Sequence, residues 1–206
     1  MRALFLFLAL STSSLTYSRD IVVHEHGYWV GTDAPSEHKT DFPLANAIGQ
    51  FFNSVGANTV VDFGCGMGDY VKVMHYYQIH CEGFDGNPNT YNLTGGVGHV
   101  ADLSQPLDLD QKYDWVLSLE VGEHLPKAYE KTFIENLDRH NTYGIVLSWA
   151  VKGQGGYGHF NEQNNDYVKD LLAQYGYIND IEAENELRRR STFSWFKNTV
   201  MVFRRK

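Results

Sequence analysis

The chain has 206 residues, 43% hydrophobic and 20% charged, with a formal net charge of −8. That length and balance suit one globular domain with a full core. The acidic excess argues against a nucleic-acid partner, whose affinity rests on Lys and Arg neutralising phosphates; the one short basic run, Arg188 to Arg190, reads as a solvated surface.

The N-terminus reads first. Met1-Arg2 precedes the apolar "ALFLFLAL" (3–10), and the polar "STSSLTYS" follows. This order predicts a secretory signal peptide over 1–18, cleaved after Ser18, and hence a secreted or lumenal protein. The apolar run is shorter than the ~20 residues that span a bilayer, so the mature chain is expected to carry no membrane span. Asn92-Leu93-Thr94 is a glycosylation sequon, which agrees with that address. Residues 19–40 form an irregular arm rich in His and Gly. Its "HEH" lacks a third ligand, and Tyr28 and Trp29 are candidates to close a pocket. Residues 41–206 form the main domain.

Asp41 caps a helix whose first turn holds Pro43, with Leu44, Ala47, Ile48 and Phe51 on one face. "NTVVDFG" is a short buried strand, and Tyr70, Val73, Met74 and Tyr77 mark the next helix. "CEGFDG" and "GHVADL" are the second and third strands. "YDWVLSLE" (113–120) and "GIVLSWA" (144–150) are the fourth and fifth, with a helix around Phe133, Ile134 and Leu137 between them. Val168, Leu171, Leu172 and Tyr175 mark a further helix, capped by Gly176. The tail, "STFSWF" and "NTVMVF", reads as two strands too close for a crossover helix, and so as an antiparallel pair. The expected fold class is α/β, a doubly wound, mostly parallel sheet with an antiparallel end. Cys65 and Cys81 fall at opposite ends of neighbouring parallel strands, ~13 Å apart at ~3.3 Å per residue. A disulfide needs Cα atoms within ~7 Å, so both thiols are expected to be free.

Gly64, Gly66 and Gly68 follow the first strand, where ligands of open α/β sheets bind. No Lys-Ser or Lys-Thr follows, which removes a triphosphate loop. The spacing G-x-G-x-G is one residue short of the dinucleotide pattern, and Asp69 would repel a pyrophosphate at the helix start. S-adenosylmethionine carries no phosphate. Its ammonium suits Asp62, its ribose hydroxyls suit Asp85 at the end of strand two, and its adenine amino group suits Asp102 near the end of strand three. The Leu103 N–H can meet the ring nitrogen.

The ordered set "VVDFGCGMGDY", "GFDGN", "VADL" and "YDWVLSLEVGEHL" resembles the class I S-adenosylmethionine-dependent methyltransferases over roughly residues 58–206. The resemblance implies a Rossmann-like sheet of seven strands with the last antiparallel, the cofactor S-adenosyl-L-methionine, and methyl transfer. It carries Asp62, Gly64, Gly66, Gly68, Asp85 and Asp102 as donor-binding positions.

Glu120, Glu123 and His124 lie at i, i+3 and i+4 at the end of strand four, a spacing that shares one face of a helical turn. With His159 from the loop after strand five, they can hold Mg²⁺, Mn²⁺, Fe²⁺ or Zn²⁺. The E-x-x-E-H element resembles that of small-RNA 2′-O-methyltransferases and ubiquinone-pathway O-methyltransferases, which implies a metal site of Glu120, Glu123, His124 and His159 and an oxygen acceptor. Two further readings stand beside it. In one, Glu123, His124 and His159 act without metal, a His as base and Glu120 at the donor's methionine end; in the other, Glu123 and His124 only open a helix. The expected acceptor is a small molecule or a peptide. The rival functions are a nucleotide-dependent oxidoreductase and a secreted binding protein that has lost turnover. The oligomeric state is not encoded in any pattern of the sequence.

Overall fold

The computed structural model describes residues 21–31 and 38–206. The expected signal peptide, 1–18, and part of the arm lie outside the described residues. The chain begins with a two-stranded hairpin, β1 (Val22–Val23) paired antiparallel with β2 (Trp29–Val30). Then come α1 (Phe42–Ser54), β3 (Thr59–Phe63), α2 (Asp69–Tyr76), β4 (His80–Asp85), α3 (Thr90–Thr94), β5 (Gly98–Val100) and β6 (Tyr113–Leu119). The second half holds a 3-10 turn (Lys127–Tyr129), α4 (Glu130–Arg139), β7 (Asn141–Ser148), α5 (Asn165–Gln174), β8 (Tyr177–Asn179), α6 (Ile181–Arg190), α7 (Phe196–Thr199) and β9 (Met201–Arg205).

Strands β3 to β9 form one sheet of 7 strands in the order β5-β4-β3-β6-β7-β9-β8. β9 runs antiparallel to both of its neighbours, and the remaining pairs are parallel. The register of β3 on β4 sets Val60 beside Cys81 and Phe63 beside Phe84. Cys81 therefore lies near the start of its strand and Cys65 lies past the far end of β3. Both thiols are free and buried, as the strand geometry predicts.

Alternation along the strands splits the core between the two faces of the sheet. Val60, Leu117, Val146 and Val202 pack with Leu44, Ile48 and Phe52 of α1, Met74 of α2 and Leu187 of α6. Val61, Val116, Ile145, Leu147 and Phe203 pack with Phe133, Ile134 and Leu137 of α4 and with Val168 and Leu172 of α5. A strand covered on both faces needs apolar residues at successive positions, which is why "TVVDF" and "GIVLS" read as continuous runs. Among the described residues no helix is long and apolar enough to cross a membrane.

The tail departs from the sequence expectation. "STFSWF" is no strand: Ser191 to Trp195 form a turn that leads into α7. The strand paired with β9 is instead the three-residue β8, which precedes α6. α6 buries only Glu184 and Leu187, so its apolar stripe is too narrow to see in the pattern. Asp180 caps it, accepting from the Ala183 N–H at 3.1 Å. The expected third strand is also shorter than "GHVADL", and Asp102 stands two residues beyond β5.

Asp41 ties the two ends of this layer. Its Oδ1 accepts from the Leu44 N–H at 3.1 Å. Its Oδ2 accepts from the Ser191 hydroxyl at 2.6 Å and from the Thr192 and Phe193 N–H groups at 2.7 and 2.9 Å. Burial alone would raise its pKa, but these four donors outweigh burial and hold it below the usual carboxylate range. Asp41→Ala should destabilise the chain by about 3 kcal/mol, the loss of one cap plus the orphaning of buried donors. Urea unfolding of the variant and of Asp41→Asn, which keeps acceptor oxygen, checks this, with Asn expected to lie between wild type and Ala.

Candidate functional site

The carboxyl ends of β3, β4, β6 and β7 and the segment after β5 open into a cavity of about 780 Å³. Asp62, Asp85 and Asp102 line it from three consecutive strands or their ends, with Leu103 beside Asp102. Gly64 and Gly66 line it as well. Both have positive φ, 84° and 52°, and both are crowded. A Cβ at Gly64 would lie 2.2 Å from the Val121 side chain, and one at Gly66 would lie 2.7 Å from His38 Nδ1. Side chains are excluded there by space as well as by backbone conformation. Gly68 does not line the cavity. It is the N-cap of α2 with φ 72°, packed against Thr94 and Val97, so it turns the loop into the helix rather than meeting a ligand.

The three aspartates have different surroundings. Asp62 is 3% exposed. Burial, and then the charge of Asp85, push its pKa up to about 8. Asp85 is held by its own loop: Oδ2 accepts from the Gly66 N–H and Oδ1 from the Asn87 N–H, each at 3.0 Å. Asp102 Oδ1 accepts from the Ser104 N–H at 3.0 Å and the Ser104 hydroxyl at 2.7 Å, and Oδ2 from His26 Nδ1 at 2.5 Å. Burial opposes ionisation of Asp102, but the Ser104 and His26 hydrogen bonds outweigh it and lower its pKa.

The second group gathers at the end of β6. Glu123, His124 and His159 offer ligand atoms that all lie within 4.8 Å of one another. The loops are stitched together at this point, because the Glu123 carbonyl accepts from the Phe160 and Asn161 N–H groups at 2.8 and 2.9 Å. His124 and His159 meet edge to face, with centroids 4.8 Å apart. His124 Nδ1 is paired with the Gly158 carbonyl at 3.1 Å and His159 Nδ1 with Glu162 Oε1 at 2.9 Å. Each ring therefore has one committed nitrogen, fixed by a neighbour as in histidines that serve as ligands. Burial and the neighbouring His159 lower the His124 pKa to about 4, against a smaller opposing effect of the Gly158 carbonyl. His124 is thus a neutral imidazole near pH 7.

Glu123 is fully buried, and neither of its carboxylate oxygens has a partner in ordinary hydrogen-bond geometry among the described residues, although the Glu123 and Ala150 N–H groups and the Glu120 carboxyl lie near enough to act on it. Burial, and then the charge of Glu120, raise its pKa well above the usual range. A buried carboxylate without a donor is costly unless something neutralises it. Two imidazoles and an orphaned carboxylate at this separation fit a divalent ion of borderline character.

Glu120, the fourth residue of the expected ligand set, stands apart from the clustered trio. It adjoins Glu123, yet its Oε2 accepts from Gln154 Nε2 at 2.7 Å and its Oε1 from the Thr199 hydroxyl at 3.1 Å. Its backbone is in the left-handed region at φ 52°, a strained conformation for a residue with a side chain. That geometry turns Glu120 toward the glycine loop after β7 and α7, so it lines the cavity but is not one of the clustered trio. The glycine loop itself is pinned: Glu162 accepts from the Gly153 and Gly155 N–H groups, each at 2.7 Å.

Sequence reasoning missed His26, His38 and Glu162 as site residues. The arm folds into the β1–β2 hairpin against the cavity. A Cβ at Gly27 would collide with the His124 carbonyl and one at Gly86 with the Tyr28 ring, so these glycines permit close docking. Trp29 lines the cavity with its ring edge-on to His124, centroids 5.2 Å apart. Tyr28 and Trp29 are thus placed at the pocket, where the sequence reading expected them. His38 packs over Gly66, and burial lowers its pKa despite Asp85 and Asp69.

Residues 38–140 match the methyltransferase domain family. No curated protein sequence matches the chain. Solved structures share its fold at low identity. Magnesium protoporphyrin IX methyltransferase (ChlM) from Synechocystis PCC 6803 with bound SAH has a TM-score of 0.62 at 17% identity, covering 79% of this chain and 81% of that one. The sugar N-methyltransferase KedS8 from Streptoalloteichus sp ATCC 53650 has a TM-score of 0.65 at 13% identity, covering 83% and 90%. The methyltransferase domain of bacterial-CtHen1-C has a TM-score of 0.56 at 18% identity, covering 78% and 96%.

The raised pKa of Asp62 has a sign that can be tested. An unfolded Asp ionises near 3.9, whereas folded Asp62 keeps its proton up to about 8. Between those values the folded state binds more protons than the unfolded, so stability from this group is present at low pH and lost as pH rises. Wild type should lose stability relative to Asp62→Asn as pH rises from about 5 to about 8. Urea unfolding of both at several pH values checks the direction.

Proposed function

We propose a specific chemistry for this chain, which belongs to the class I S-adenosylmethionine-dependent methyltransferases: transfer of the donor methyl group to an oxygen of a small molecule or peptide, with help from a divalent ion. The observation that carries the proposal is the orphaned Glu123 carboxylate beside His124 and His159, at the edge of a cavity lined by three strand-end aspartates. The ChlM protein and KedS8 are named for small-molecule acceptors, a porphyrin and a sugar, which supports a small acceptor here.

On this reading Asp62 faces the donor's ammonium, Asp85 the ribose hydroxyls and Asp102 the adenine amino group. The Gly64 and Gly66 backbone lets the donor lie close to the loop. Glu123, His124 and His159 would hold Mn²⁺, Fe²⁺ or Zn²⁺ rather than the oxygen-seeking Mg²⁺. A bound cation lowers the pKa of an acceptor hydroxyl. With an ion on their remaining nitrogens, neither His124 nor His159 has a lone pair left to take a proton, so acidifying the hydroxyl stands in for a side-chain base. The acceptor oxygen's lone pair forms the new C–O bond while the C–S bond breaks. The electron pair returns to sulfur, giving the neutral thioether product, and the acceptor proton leaves to water. The fold's contribution is alignment of the two reactants.

Calorimetry with S-adenosylhomocysteine, with and without EDTA, tests donor and metal together. Asp85→Ala should weaken binding of this product by at least about 10-fold, the loss of its hydrogen bonds to the ribose hydroxyls. Equal affinity in the variant would remove the donor assignment. Titration with Mn²⁺ or Zn²⁺ should show one site, weakened at least about 10-fold by His124→Ala, while affinity for S-adenosylhomocysteine changes little. Unchanged ion binding in that variant would remove the metal assignment and leave the donor site standing.

A further inference from the structure

The hairpin tip makes a contact that neither the glycine loop nor the strand-end acids require. His26 stands between β1 and β2 and donates through Nδ1 to Asp102 Oδ2 at 2.5 Å. Its position is fixed from several sides. The His26 N–H donates to His24 Nδ1 at 3.2 Å, the Gly27 N–H donates to the His24 carbonyl at 2.8 Å, and the ring meets Tyr129 edge-on with centroids 5.1 Å apart. Tyr28 stacks on His24 with centroids 4.3 Å apart and packs over Gly86, next to Asp85. The Tyr157 hydroxyl donates to the Ile21 carbonyl at 3.0 Å and anchors the hairpin's start.

A carboxylate offers about four lone-pair sites and no donor once ionised. Three sites on Asp102 are taken, two by Ser104 and one by His26. One remains on Oδ2, and both His26 and Asp102 line the cavity. An acceptor-only atom held in a fixed rotamer can pair with an amino group but not with a carbonyl. We propose that His26 is a positioning residue of the donor site: it orients the Asp102 carboxylate so that the last free lone pair selects a purine with an exocyclic amino group, with Tyr28 walling the adjoining ribose side. The inference rests on the donor reading above and adds to it a specificity determinant from the arm.

The test compares S-adenosylhomocysteine with its 6-deamino analogue, in which unsubstituted purine replaces adenine and only the amino group is lost, in wild type, His26→Ala and His26→Gln. Thermal melting of each variant checks folding. Wild type should prefer the adenosyl compound by at least about 10-fold, because the deamino compound leaves the Asp102 lone pair without a donor. His26→Ala should weaken the adenosyl compound by about 10-fold and leave the deamino compound nearly unchanged, so that discrimination collapses. His26→Gln, whose amide N–H can still donate to Asp102, should restore much of the discrimination. Equal loss for both compounds in His26→Ala would make the hairpin merely structural and overturn the proposal. Tighter adenosyl binding in His26→Ala would overturn it too, since His26 would then be a competitor for Asp102. If wild type binds neither compound, the donor reading itself falls.

Discussion

The structure depends on one constraint: a parallel sheet edge that buries carboxylates with too little positive charge to meet them. Asp62 and Glu123 are both nearly sealed from solvent, and burial pushes both toward the protonated form. Among the described residues only Lys39 and Lys152 bring ammonium-bearing side chains to the cavity lining. Buried acids held this way cost stability, and folds keep such costs mainly where a ligand relieves them. A cationic donor would relieve the cost at Asp62, and on the proposed reading a divalent ion would relieve it at Glu123. The two halves of the site then pose the same physical problem.

The surrounding structure is arranged around this edge. Close packing of Gly64 under Val121 and of Gly66 under His38 keeps the loop thin. The left-handed Glu120 directs its carboxylate to Gln154 and Thr199, so the glycine loop and α7 are held by the end of β6. Glu162 ties the same loop to His159. The hairpin reaches from Asp102, through His26, to the backbone of His124, against which Gly27 packs. Elements far apart in sequence thus meet in one wall of one cavity.

Much of this was legible in the sequence because local rules and the fold agree. Continuous apolar runs ending in Asp62 and Asp85 mark buried parallel strands, and glycines at 64, 66 and 68 mark the turn after the first. Strand geometry alone keeps Cys65 and Cys81 apart. The tail misled because β-branched and aromatic residues in "STFSWF" satisfy strand propensity, whereas packing of Phe196 in the core draws that segment into a turn and α7. α6 and the three-residue β8 carry too few buried positions to leave a period. The hairpin strands are two residues each, below any periodic signal, so the meeting of His26 with Asp102 was invisible. Glu162 was hidden for a different reason: its role is set by a loop that brings Gly153, Gly155 and His159 around it, and no spacing rule encodes that.

The most direct measurement of the central claim is the proton balance of donor-site occupation. Calorimetry of S-adenosylhomocysteine binding near neutral pH, repeated in buffers of different ionisation enthalpy, reports protons released or taken up. An Asp62 that is protonated in the free protein and meets an ammonium in the complex should release up to about one proton, and the release should vanish in Asp62→Asn. Binding with no proton release in wild type, or with the same release in the variant, would contradict the account.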